Sequence, residues 1–138
     1  KIVNQKGSFR LYIYYDSLYK ASSMLSEFAY GETRFLFDDS DDLPENLINS
    51  AQVPFDEKVN VLKVSGTGSF DKTSSELLIR TQPEFAIIQS RAKGRKSKAT
   101  EIFKSGLTFL GIDAVDVIEK GSVIIESDGT KIIKKDWN

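Results

Sequence analysis

The chain has 138 residues, 40% of them apolar and 28% charged, and its formal net charge is -1. That length fits one domain able to bury a core without covalent staples. Cysteine and histidine are both absent, which excludes disulfides, thiolate metal sites, cysteine nucleophiles and Ser-His-Asp or Cys-His catalysis within this chain.

The loss of histidine also removes the usual general base near neutral pH and the commonest metal ligand. A binding role is therefore expected ahead of an enzymatic one. No cofactor is expected, and no metal, since zinc would have to be held by carboxylates alone. No apolar run approaches ~20 residues, so no transmembrane helix is expected. The chain opens on Lys1 rather than Met, as expected of a processed form or a piece of a longer protein. No charged start followed by an apolar stretch marks a signal peptide. A soluble protein is expected, with the cytoplasm favoured.

In chain order, "SFRLYIYYD" (8–16) alternates Phe9, Leu11, Ile13 and Tyr15 with Arg10, Tyr12, Tyr14 and Asp16. This reads as a strand with one apolar face and one aromatic, polar face. Asp16 or Ser17 can cap a helix in which Leu18, Ala21, Met24, Leu25 and Phe28 recur at helical spacing, with Gly31 ending it. "TRFLF" (33–37) reads as a second strand. Asp42 and Glu45 have capping-box spacing, with Pro44 in the first turn of a short helix through Leu47, Ile48 and Ala51 that Pro54 ends.

Strands are expected near 59–65, 75–81 and 84–90, with Gly66 and Gly68 marking one turn and Pro83 the next. Ala99, Ile102, Phe103, Gly106, Leu107 and Leu110 predict a helix closed by Gly111. "IDAVDVIEKG" suits a strand or a short helix. "SVIIESDGTKIIKKDW" predicts a hairpin around Asp128-Gly129. The order predicts one α+β domain over 1–138: a mainly antiparallel sheet of about five to seven strands, two main helices packed on one face, and a C-terminal β-hairpin.

The segment "RAKGRKSK" carries Arg91, Lys93, Arg95, Lys96 and Lys98 in a nearly neutral chain. Cations oppose the macrodipole at a helix start, so they are placed against local stability. Free backbone N–H groups, the hydroxyls of Ser97 and Thr100, and these cations suit phosphate, with Gly94 allowing close backbone approach. The expected anion or nucleic-acid site is Arg91, Lys93, Arg95, Lys96, Ser97, Lys98, Thr100 and Lys104, with Tyr12 and Tyr14 as stacking candidates and Lys131, Lys134 and Lys135 nearby. The competing reading is a solvated loop.

"LYIYYDSL" (11–18) and "EFAIIQS" (84–90) resemble the two sheet motifs of the RNA-recognition-motif family over about fifteen residues. The resemblance implies base stacking on Tyr12 and Phe85. Residues 99 onward resemble a winged helix-turn-helix, but its second helix, "DAVDVIEK", is acidic where a DNA-reading helix is basic or neutral.

The alternative partner is a protein. Asp38, Asp39, Asp41, Asp42 and Glu45 form an acidic patch that could face a basic partner, and a sheet edge offers another surface. The patch fails as a calcium loop, with Leu43 at the turn-glycine position and Asn49 at the bidentate-glutamate position. "GTG" (66–68) is too short for a phosphate loop and reads as a turn.

Overall fold

The alternating stretch at the start forms strand β1 (Gly7–Asp16). The computed structural model describes residues 7–16, 21–39, 58–66, 68, 75–90 and 98–136. The short helix expected around 45–51 lies outside them.

The next segment corrects an expectation. Ala21–Tyr30 is strand β2, not a helix. It pairs antiparallel with β1 along its whole length and with β3 (Thr33–Asp38) on its other side. Met24 and Phe28 fit a helical stripe, but 24/28 and 25/27 fit alternation equally well. Ser22, Ser23 and Ser26 are weak helix formers, so two strand neighbours decide the outcome. Gly31, at φ 59, makes the tight turn into β3 rather than ending a helix.

From β3 the sheet turns parallel. β4 (Val61–Lys63), β5 (Phe85–Ile88) and β6 (Asp113–Asp116) add in sequence, giving a six-stranded mixed sheet in the order β1-β2-β3-β4-β5-β6. The expected strand at 75–81 is instead helix α1 (Ser75–Thr81). Leu77, Leu78 and Thr81 are its buried residues, a one-sided helical stripe that also passes for a short apolar run. Helix α2 (Lys98–Phe109) falls where the periodicity puts it. Its inward stripe is Thr100, Phe103 and Leu107, while Ile102 points outward.

The ambiguous "IDAVDVIEKG" is both things: β6, then a one-turn helix α3 (Val117–Lys120) capped by Asp116. Because residues 113–116 pair with β5, they form no recognition helix. The terminal hairpin is present as β7 (Val123–Ser127) and β8 (Ile132–Asp136), a separate two-stranded sheet. The class is α+β.

The parallel crossovers that carry α1 and α2, from β4 to β5 and from β5 to β6, step the same way along the sheet, so a common hand puts both helices on one face. There Leu25, Leu36, Leu62, Ala86 and Ile88 meet Leu77, Leu78, Phe103 and Leu107 in the main core. The hairpin attaches to the opposite face. Thr33 and Ser127 share a hydrogen bond of 2.6 Å, Glu32 N donates to Gly129 O at 2.6 Å, and Lys134 pairs with Asp113 at 2.9 Å. No helix among the described residues is long and apolar enough to cross a membrane.

Candidate functional site

Strands β3 to β6 run in one direction, so their carboxyl ends share one edge of the sheet. In open parallel sheets that edge collects ligand sites, because the loops leaving it are not needed to cover the core. The loop after β4 is pressed against the end of β5. Gly68 sits at φ 77, and a Cβ there would lie 2.8 Å from Ile88 Cγ2. Only glycine satisfies both the conformation and the approach. Lys63, at the end of β4, reaches Asp38 O at 3.3 Å and Asp39 Oδ1 at 3.4 Å.

At the end of β6, Asp116 is almost wholly buried. Its Oδ1 accepts from Ser90 Oγ at 2.9 Å and from Ile118 N at 3.1 Å, and its Oδ2 pairs with Lys104 Nζ at 2.5 Å. Lys104 also reaches Glu119 Oε2 at 2.9 Å. Burial by itself would raise the Asp116 pKa, but the bonds from Lys104, Ser90 and Ile118 N outweigh it and hold the carboxyl below its ordinary range. Burial would likewise lower the Lys104 pKa, and the two carboxylates outweigh it and raise it. Ser90, Thr100, Glu101, Lys104, Ser105, Asp116 and Glu119 line a cavity of about 260 Å³.

In the sequence the basic segment runs between β5 and α2. Ser90 follows β5, and Lys98, exposed, is the first residue of α2. Arg91, Lys93, Arg95, Lys96 and Ser97 lie outside the described residues. Thr100 is buried on the core side of α2, and Lys104 is held by two carboxylates rather than presented to solvent. Lys134 is paired with Asp113 and stands 5.2 Å from the Phe85 ring centroid, and Lys135 is paired with Glu126 at 2.6 Å. Lys131 is exposed.

Tyr12 lies on the helix-covered face, half-buried against the core, and donates to Glu27 Oε2 at 3.3 Å. Burial, with the Glu27 charge, raises its pKa. Glu27 is itself buried, clamped by Arg34 at 2.6 Å and Arg10 at 3.4 Å. Its charge raises the Arg10 pKa. Tyr14 sits on β1, its side chain outside the described residues. Phe85 lies on the other face of the sheet from Tyr12, four strands away, so the two do not form the shared stacking platform that the RNA-recognition-motif resemblance implies. Of the acidic patch, Asp38 is buried and Asp39 pairs with Lys63. Asp41, Asp42 and Glu45 lie outside the described residues. Among the described residues no three Asp or Glu side chains converge as a metal site needs.

Sequence reasoning missed the Asp116–Lys104–Glu119 cluster. Its members stand 12 and 15 positions from Lys104 in the sequence, and no local spacing links them. It also missed that Phe9, Leu11 and Ile13 face outward. No family model matches the chain, and no curated protein matches it either.

Proposed function

We propose that the protein is a non-catalytic binding domain whose basic segment, Arg91–Lys98, takes up nucleic-acid phosphates at the carboxyl edge of β3–β6. The observation that carries the reading is positional. The five cations fall in the crossover from the end of β5 to the first turn of α2, where a parallel sheet offers loops for ligand contact. Their like charges oppose the α2 dipole, a local cost that an anionic ligand offsets.

Lys98 is the free, described member of the set. Lys104 is a structural ion-pair residue in this reading, not a phosphate contact. Contacts of this kind give affinity without sequence specificity. Short single- and double-stranded DNA and RNA, titrated by fluorescence anisotropy at low and moderate salt, test the proposal. Salt-sensitive binding supports it, and no binding at low salt reduces the segment to a solvated loop.

A second reading, a protein-interaction module, is favoured by one specific observation: beside the hairpin, the sheet face away from the helices exposes Phe9, Leu11, Ile13, Met24, Phe28 and Phe37.

A further inference from the structure

The register groups the outward side chains. Phe9 lies opposite Phe28, Ile13 opposite Met24, and Leu11 and Phe37 both lie opposite Ser26. They form one contiguous patch, because cross-strand neighbours sit about 5 Å apart on the same face. Phe9 is 65% exposed, Leu11 48%, Ile13 70%, Met24 36%, Phe28 42% and Phe37 44%. At about 200 Å² per large side chain, six that are half-exposed on average present roughly 600 Å². That is the upper end for a monomer's largest apolar patch, and such patches mark interaction sites. The hairpin does not close this half of the face. Ile125 and Ser127 stop beside Phe28, Tyr30, Phe35 and Phe37, leaving an open trough of about 530 Å³.

We infer that the occupant is a second copy of this chain, packed face to face through β1–β3. This rests on the protein-interaction reading and shares no residue with the basic segment. Charge selects the occupant. On this face β1 and β2 show Gly7, Phe9, Leu11, Ile13, Met24, Ser26, Phe28 and Tyr30, without one formal charge, while Arg10, Glu27 and Arg34 lie on the other face. The Lys63–Asp39 ion pair, beside Phe37 and Met24, borders the patch and is satisfied within the chain, so a charged partner or a nucleic acid finds little there to pair with. Across a twofold axis each patch meets its own image, which a neutral apolar surface tolerates and a charged one does not. The net charge of -1 adds little repulsion between copies. Two such patches bury about 1,200 Å², the lower bound of a stable interface.

Sedimentation equilibrium over a range of concentrations is the first readout. The expected mass is twice 15.5 kDa. Phe9→Lys with Ile13→Lys, both outward positions, is expected to give the single-chain mass with an unchanged circular-dichroism spectrum and a dissociation constant at least about a hundredfold higher. The cysteine-free background supplies a second readout that needs no such variant: Leu11→Cys should cross-link far faster than Ser105→Cys on the helix side. A single-chain mass at every concentration overturns the inference. So does a dimer that persists in a folded double-lysine variant, or equal cross-linking at the two cysteines. Loss of oligonucleotide binding on neutralising the basic segment leaves the mass unchanged, so the two proposals fail separately.

Discussion

Asp116 shows what a buried carboxylate needs. Two hydrogen bonds and one ammonium surround it, and against the effect of burial they hold its carboxyl below the ordinary range. Removing the ammonium with Lys104→Met leaves the charge poorly compensated and is expected to cost about 3 kcal/mol in a denaturant titration. The pH dependence follows from the directions of the shifts. The folded Asp116 titrates below its ordinary 3.8, so its contribution is present above that value and is lost as the pH falls from there through the lower folded value. The folded Lys104 titrates above 10.5, so its contribution is complete below that value and lost as the pH rises past it. The stability gap between the parent and Lys104→Met should therefore narrow as the pH drops below 3.8. A gap constant from neutral pH to pH 3 would break the link between the pair and the acid limb. Gly68 carries a different constraint. Gly68→Ala meets Ile88 Cγ2 at 2.8 Å as well as a φ of 77, and should cost about 2 kcal/mol or more. Gly111→Ala, with open space around its Cβ, should cost about 1 kcal/mol, from its φ of 74 alone.

Elements set by strong local chemistry were legible. β1 announces itself by alternation, α2 by a stripe and a closing glycine, and the terminal hairpin by Asp128-Gly129. In that turn Asp128 Oδ1 accepts from Thr130 N and Lys131 N, and these two bonds hold its carboxyl below the ordinary range. Elements set by neighbours were not legible. The apolar and small residues of Ala21–Tyr30 fit two periods, and only pairing with β1 and β3 chooses between them. α1 is seven residues long, too short for a period to declare itself. Of the candidate site, the basic segment was visible as composition, whereas the shared carboxyl edge that Ser90 leaves after β5 required the parallel register of β4, β5 and β6. The hairpin's attachment is testable at this scale. Thr33→Val removes the hydroxyl that bonds Ser127 Oγ and Tyr30 O. It is expected to cost about 1–3 kcal/mol and to lower amide-exchange protection across β7 and β8 while sparing α2. Equal loss of protection in α2 would show that the hairpin is not a separable unit.

Taken whole, the molecule sorts its two sheet faces in a way that alternation alone does not reveal. Alternation in β1 says that the faces differ, not which one turns inward. The helix-covered face takes the polar set because Arg10, Arg34 and Tyr12 satisfy the buried Glu27, while Leu25 and Leu36 beside them join the core. The opposite face keeps Phe9, Leu11 and Ile13 outward, available to a second copy. The basic segment, which follows Ser90 at the end of β5 in the sequence, is the surface we propose for polyanions.

The most direct test of the binding account is the salt dependence of oligonucleotide affinity, measured by anisotropy for the parent and for a variant with Arg95→Gln, Lys96→Gln and Lys98→Gln. If the segment holds the phosphates, the parent's log-log slope is steep, and the triple variant's is shallower by about two to three, close to one for each cation lost. Identical slopes and affinities for the two proteins would contradict the account and place any nucleic-acid contact elsewhere on the molecule.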